Sequence, residues 1–106
     1  MLSAPFQNEV AQFVGQHNLE IPVGDRMLDL TSEIGELANV ILKVTDYGRQ
    51  EFYPDAAWRD ELGDVLFSLT CLANSIDIDL LDALREVMTQ YQARQTHRGN
   101  TGSDRR

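Results

Sequence analysis

Cysteine occurs once in the 106 residues, tryptophan once and proline three times. A single thiol, Cys71, cannot close an internal disulfide or furnish a Cys-rich zinc site, and it suits a reducing compartment. Cationic side chains are also scarce: Lys and Arg number 9 against 17 Asp and Glu, a formal charge of −8. That balance excludes the basic face that a nucleic-acid-binding module needs to neutralise phosphates. It equally excludes one drawn to an anionic membrane surface. No apolar run approaches the roughly 20 residues that span a bilayer. The first residues, Met1 to Gln7, hold no basic region and no long apolar stretch, so no secretory leader is read and the expected location is cytoplasmic.

What is present is a soluble-protein composition, 42% apolar and 25% charged. The length suits one domain. A core of this size leaves little spare stability, so oligomerisation is expected. Helical periodicity dominates, and no strand-like alternation persists. The spacing predicts a first helix over about residues 4–16, capped by Ser3, with Phe6, Val10, Phe13 and Val14 on one face. A second is predicted from a cap at Asp25 to near Val44, with Met27, Leu30, Ile34, Leu37, Ile41 and Val44 as its stripe. A third, capped by Asp55, runs to about Ser75 with Trp58, Leu62, Val65, Leu69, Leu72 and Ile76. A fourth, capped by Asp79, carries Leu80, Leu81, Leu84, Val87, Met88 and Tyr91. The fold expected is an all-α, four-helix bundle over residues 1–95. Residues 96–106 lack apolar side chains and read as a flexible polar tail.

One acidic pattern occurs twice. Glu33-Ile34-Gly35-Glu36 lies in the second helix and Glu61-Leu62-Gly63-Asp64 in the third. Each places two carboxylates at i and i+3, neighbours on one helix face, where like charges repel. At 100° per residue, Glu61 falls inside the apolar stripe of its helix, flanked by Asp64 and Ser68, and Glu33 lies at the edge of its own. A carboxylate aimed at a core is costly unless a cation or a partner meets it. Arg26 and Lys43 each lie two turns from the second helix's pair, and Arg59 points to a different face from Glu61. A hard divalent cation with oxygen ligands is the simpler counter-charge. A solvated helix face is the ordinary alternative for one such pair, less so for two of the same form. Each glycine costs about 1 kcal/mol in a helix interior. That cost points to close backbone approach or room for a ligand, with tight helix packing as the alternative.

These residues resemble the MazG-like nucleotide pyrophosphohydrolases, the all-α NTP pyrophosphatase superfamily. The resemblance rests on Glu33-x-x-Glu36 and Glu61-x-x-Asp64, separated by 24 residues, and on the surrounding words Ser32 to Ala38, Asp60 to Phe67 and Ile78 to Leu84. It covers about residues 25–94. It implies hydrolysis of a nucleoside triphosphate to the monophosphate and pyrophosphate, often to sanitise the nucleotide pool. It also implies Mg²⁺ held by Glu33, Glu36, Glu61 and Asp64, and a homodimer or homotetramer. Tyr91 and Arg94 resemble the basic end of the family's last helix and are substrate-binding candidates, with Lys43 and Arg26 beside them. A Lys or Asn common one turn earlier in the family is replaced here by Val87 and Gln90.

Tyr47, Phe52, Tyr53 and Trp58 cluster about the connector and offer stacking for a base, with core packing the expected role of Trp58. No Glu-x-x-His pattern supports a redox di-iron bundle, and no Ser/Cys/His arrangement supports covalent catalysis. His17 and His97 fall in a break and in the tail. Two rival readings stay open: a catalytically weak metal-binding or helix-pairing module of the same fold, and an enzyme cleaving a different pyrophosphate bond, such as that of a phosphoribosyl nucleotide.

Overall fold

The computed structural model describes residues 4–98, and among them every regular element is helical. Helix α1 spans Pro5–Gln16, α2 Val23–Val44, α3 Ala56–Ser75 and α4 Leu80–Arg98. The chain is all-α, as its periodicity predicts.

The helix ends follow local chemistry. Pro5 opens α1, where its missing N–H and preset φ do no harm. The predicted cap Ser3 lies outside the described residues. Helix α2 starts two residues earlier than its predicted cap: Pro22 occupies the N-cap and Asp25 sits in the first turn, where its charge suits the helix dipole. Asp55 caps α3 as predicted, accepting the Trp58 N–H at 3.1 Å. Asp79 caps α4, its Oδ1 accepting the N–H groups of Leu81 and Asp82. Between α2 and α3 the chain turns through positive φ at Asp46, Tyr47 and Gly48. Thr45 braces that turn, its Oγ1 donating to Ile41 O and accepting from Gly48 N–H.

Helix α4 continues through Thr96, His97 and Arg98. The boundary at residue 95 therefore falls inside a helix: a polar sequence is no obstacle to helix where good formers such as Gln, Ala and Arg dominate. The remainder of the predicted tail, 99–106, lies outside the described residues.

Packing centres on α2 against α3, with α1 laid across α3. Leu30, Cys71 and Ala73 are buried there, and Phe13 meets Phe67 edge-on with centroids 6.1 Å apart. Helix α4 makes no comparable packing on the other three. The stripes read from the sequence are therefore only partly covered in one chain. Met27, Ile34, Leu62, Leu84, Met88 and Tyr91 stay close to half exposed. The radius of gyration is 17.3 Å, against about 13 Å for a compact 100-residue domain.

A buried amide fixes where α4 departs. Gln7 has no exposed surface. Its Nε2 donates to Asn74 Oδ1 (3.0 Å) and Ile78 O (2.9 Å). Its Oε1 accepts the Leu80 N–H at 2.8 Å, and its carbonyl accepts from Asn74 Nδ2 at 3.0 Å. One side chain of α1 thus binds the end of α3, the turn and the first residue of α4.

Candidate metal centre

The two acidic pairs lie opposite each other across the α2–α3 interface. Asp29 of α2 contacts Ser68 of α3, while Glu33 meets Glu61 and Asp64, so the helices run antiparallel. Glu33, Glu61 and Asp64 each bring one carboxylate oxygen to within 4.8 Å of the others. Glu33 and Glu61 are half-buried and Asp64 is exposed, as the angular positions predict for Glu61 inside its stripe and Glu33 at an edge. Glu36 is exposed and stands outside that trio, although its charge acts on both Glu33 and Glu61.

Two oxygens are orphaned. Glu33 Oε1 and Glu61 Oε1 are buried and accept no hydrogen bond. Among the described residues no salt bridge reaches the group; the surface pair Arg49–Asp46 lies elsewhere. Burial, then the charges of Glu36, Asp64, Asp29 and Glu61, raise the Glu33 carboxyl above its ordinary value of 4.5. Burial, then Glu36, Asp64 and Asp60, do the same to Glu61. Oxygen donors of one sign with no internal cation suit a hard divalent ion. The chain's carboxylates therefore fit such a metal.

Those shifts carry a pH dependence. A carboxyl that holds its proton more tightly folded than unfolded stabilises the fold at low pH, and the contribution is lost as pH rises through the folded value. In EDTA, these two groups are expected to lower the melting temperature progressively as pH climbs above about 4.5. A Glu33→Gln, Glu61→Gln double variant should flatten that dependence. A thermal-shift series across pH reads it, and an equally steep slope in the double variant would refute the assignment.

The cationic and aromatic candidates lie apart from the trio. Arg26 is buried and donates to Leu19 O. It lines a cleft of ≈ 220 Å³ with Val14, Glu20, Cys71, Asn74 and Ser75. Lys43 is exposed in the last turn of α2. On α4, Arg94 lies over the Tyr91 ring, 5.1 Å from its centroid, on a helix that packs on α2 and α3 far less than they pack on each other. Trp58 is half-buried and edge-on to Phe52 at 4.7 Å, matching a packing role, while Tyr47 and Tyr53 are exposed. Cys71 is buried, which pushes its thiol up, as befits a packing residue. His17 tilts against Phe13 with ring centroids 4.4 Å apart. A Cβ built on Gly35 or Gly63 would meet nothing within 4 Å, so among the described residues neither tight packing nor close backbone approach explains them. Sequence reading gave Asp29 no role and noted Ser68 only as a flank of Glu61; both side chains belong to this interface.

Fold and site together define an all-α protein with an acidic metal-type centre on an antiparallel helix pair. The MazG nucleotide pyrophosphohydrolase domain family matches residues 25–99. The chain is 37% identical over 95 residues to the protein YpjD of Bacillus subtilis strain 168, covering 87% of this chain and 85% of that one. Its structure is similar to the crystal structure of the Bacillus-conserved MazG protein, a nucleotide pyrophosphohydrolase. That match has a TM-score of 0.68 and 37% identity, over 81% of this chain and 84% of the other. A crystal structure of YPJD from Bacillus subtilis matches at TM-score 0.67 and 38% identity, over 81% and 88%. The chain belongs to the MazG nucleotide pyrophosphohydrolase family, a class of metal-dependent hydrolases.

Proposed function

We propose that the protein hydrolyses nucleoside triphosphates to the monophosphate and pyrophosphate, with Mg²⁺ held by Glu33, Glu36, Glu61 and Asp64. The observation that carries this reading is the pair of orphaned, buried oxygens on Glu33 and Glu61, grouped with Asp64 and met by no salt bridge among the described residues. A bound Mg²⁺ supplies charge neutralisation for the triphosphate and lowers the pKa of a coordinated water. The protein's own part is to hold four acidic side chains on two rigid helices. Glu36, outside the close trio and so the least firmly bound of the four, suits orienting or deprotonating the attacking water.

Exposed apolar stripes and the loosely packed α4 support a homodimer or homotetramer, which sedimentation of the purified chain reads directly. In such an assembly Tyr91 and Arg94 serve the substrate's phosphates at a neighbouring subunit's centre, since α4 stands away from its own. Lys43 is a further phosphate contact along α2. Arg26 binds substrate only through the cleft it lines. Nucleotide-pool sanitising in the cytoplasm follows as the cellular role. Among the described residues no helix is long and apolar enough to cross a membrane.

The test is pyrophosphate release from a panel of canonical and modified nucleoside triphosphates, with and without Mg²⁺. The expected result is Mg²⁺-dependent release from at least one triphosphate. Stabilisation by Mg²⁺ with no turnover of any nucleotide would replace this reading with a metal-binding module. Turnover confined to a phosphoribosyl nucleotide would move the reaction to a different pyrophosphate bond.

A further inference from the structure

One turn before Glu33 on α2 stands Asp29, and one turn after Asp64 on α3 stands Ser68. Ser68 Oγ donates to Asp29 Oδ2 at 2.6 Å. Ser68 is 2% exposed, so its hydroxyl needs a partner inside the protein, and Asp29 supplies it across the helix interface. The bond occupies one Asp29 oxygen and pins a side chain that is only half-buried. The charge of Asp29 is felt at Glu33, yet Asp29 is not one of the three carboxylates that meet within 4.8 Å. Asp29 stands one helical turn from Glu33, outside the trio and tied to α3.

We infer that Asp29 is a positioning residue of the metal centre, anchored by Ser68 so that its second oxygen accepts hydrogen bonds from the water ligands of the bound cation. This rests on the reading of the acidic trio as a metal site. A small hard dication dehydrates reluctantly and keeps several waters, whose protons need acceptors. Carboxylates one shell out orient those waters, and their removal costs about 10–100-fold in metal affinity or activity. The same anchoring sets Glu33 and Asp64 in register, because Asp29–Ser68 joins the two helices one turn away from them.

The experiment measures Mn²⁺ binding to the full chain without nucleotide, by the electron paramagnetic resonance signal of free Mn²⁺, alongside melting in EDTA. Glu33→Gln is expected to lose binding. Asp29→Asn should weaken it about tenfold or more without lowering the melting temperature in EDTA, because a negative charge beside Glu33 has gone. Ser68→Ala should weaken binding in the same direction by less. A purely structural role predicts the reverse pattern, a lower melting temperature in EDTA with Mn²⁺ affinity intact, and overturns the inference. So does wild-type affinity in Asp29→Asn while Glu33→Gln fails to bind. A wild-type chain that leaves all Mn²⁺ free removes the metal reading itself, and this inference with it.

Discussion

Glu61→Gln is expected to cut pyrophosphate release by at least about 10²-fold while leaving the fold intact or more stable in EDTA. The loss follows from the several kcal/mol that a correctly held metal contributes to charge stabilisation, each 1.36 kcal/mol being tenfold in rate. The gain in the metal-free state follows from geometry. Glu61 is half-buried, one of its oxygens has no partner, and burial with Glu36 and Asp64 already disfavours its charge. An uncharged isostere removes that conflict. Activity and stability should therefore move in opposite directions, a signature that simple unfolding cannot produce. Asp64→Asn should behave alike in activity. Steady-state assays of both variants, paired with melting curves, decide it; activity within a few-fold of wild type in Glu61→Gln would remove that carboxylate from the centre.

Gln7→Ala is expected to destabilise the fold severely, by about 3–5 kcal/mol. The Gln7 side chain is fully buried and makes three hydrogen bonds, to Asn74, Ile78 and Leu80. Truncation strands those partners, and each buried unsatisfied group costs about 1–3 kcal/mol, with water recovering part of the total. At about 4–8 °C per kcal/mol for a domain near this size, the melting temperature should fall by more than 10 °C. The comparison needs equal protein concentrations, since assembly adds to apparent stability. A loss below about 1 kcal/mol would mean that the α1–α3–α4 junction does not depend on this amide.

Local chemistry was legible wherever the signal lies within a few residues. Asp55 and Asp79 cap their helices as read, since an N-cap needs only a side chain that reaches an N–H two or three residues ahead. The acidic pairs were legible for the same reason: i,i+3 spacing on a helix places side chains together before any tertiary contact forms. The start of α2 differs from its reading at Asp25 because Pro22, in extended backbone, takes the N-cap position and leaves Asp25 inside the first turn. The extent of α4 was cut short because polarity was read as disorder, whereas helix propensity depends on side-chain entropy more than on polarity.

The sequence by itself determined the helices, the doubled acidic pattern, the half-buried character of Glu33 and Glu61 and the shortage of cations to meet them. Each of these follows from the 3.6-residue repeat and from composition. Only the tertiary structure decided that Glu36 stands apart from the close trio, that Asp29 meets Ser68 across 39 positions of sequence, and that Gln7 binds residues 67 to 73 positions away. It also decided that α4 leaves the other helices instead of closing on them. Such contacts depend on the register of one helix against another, and many sequences with the same periodicity are compatible with several registers.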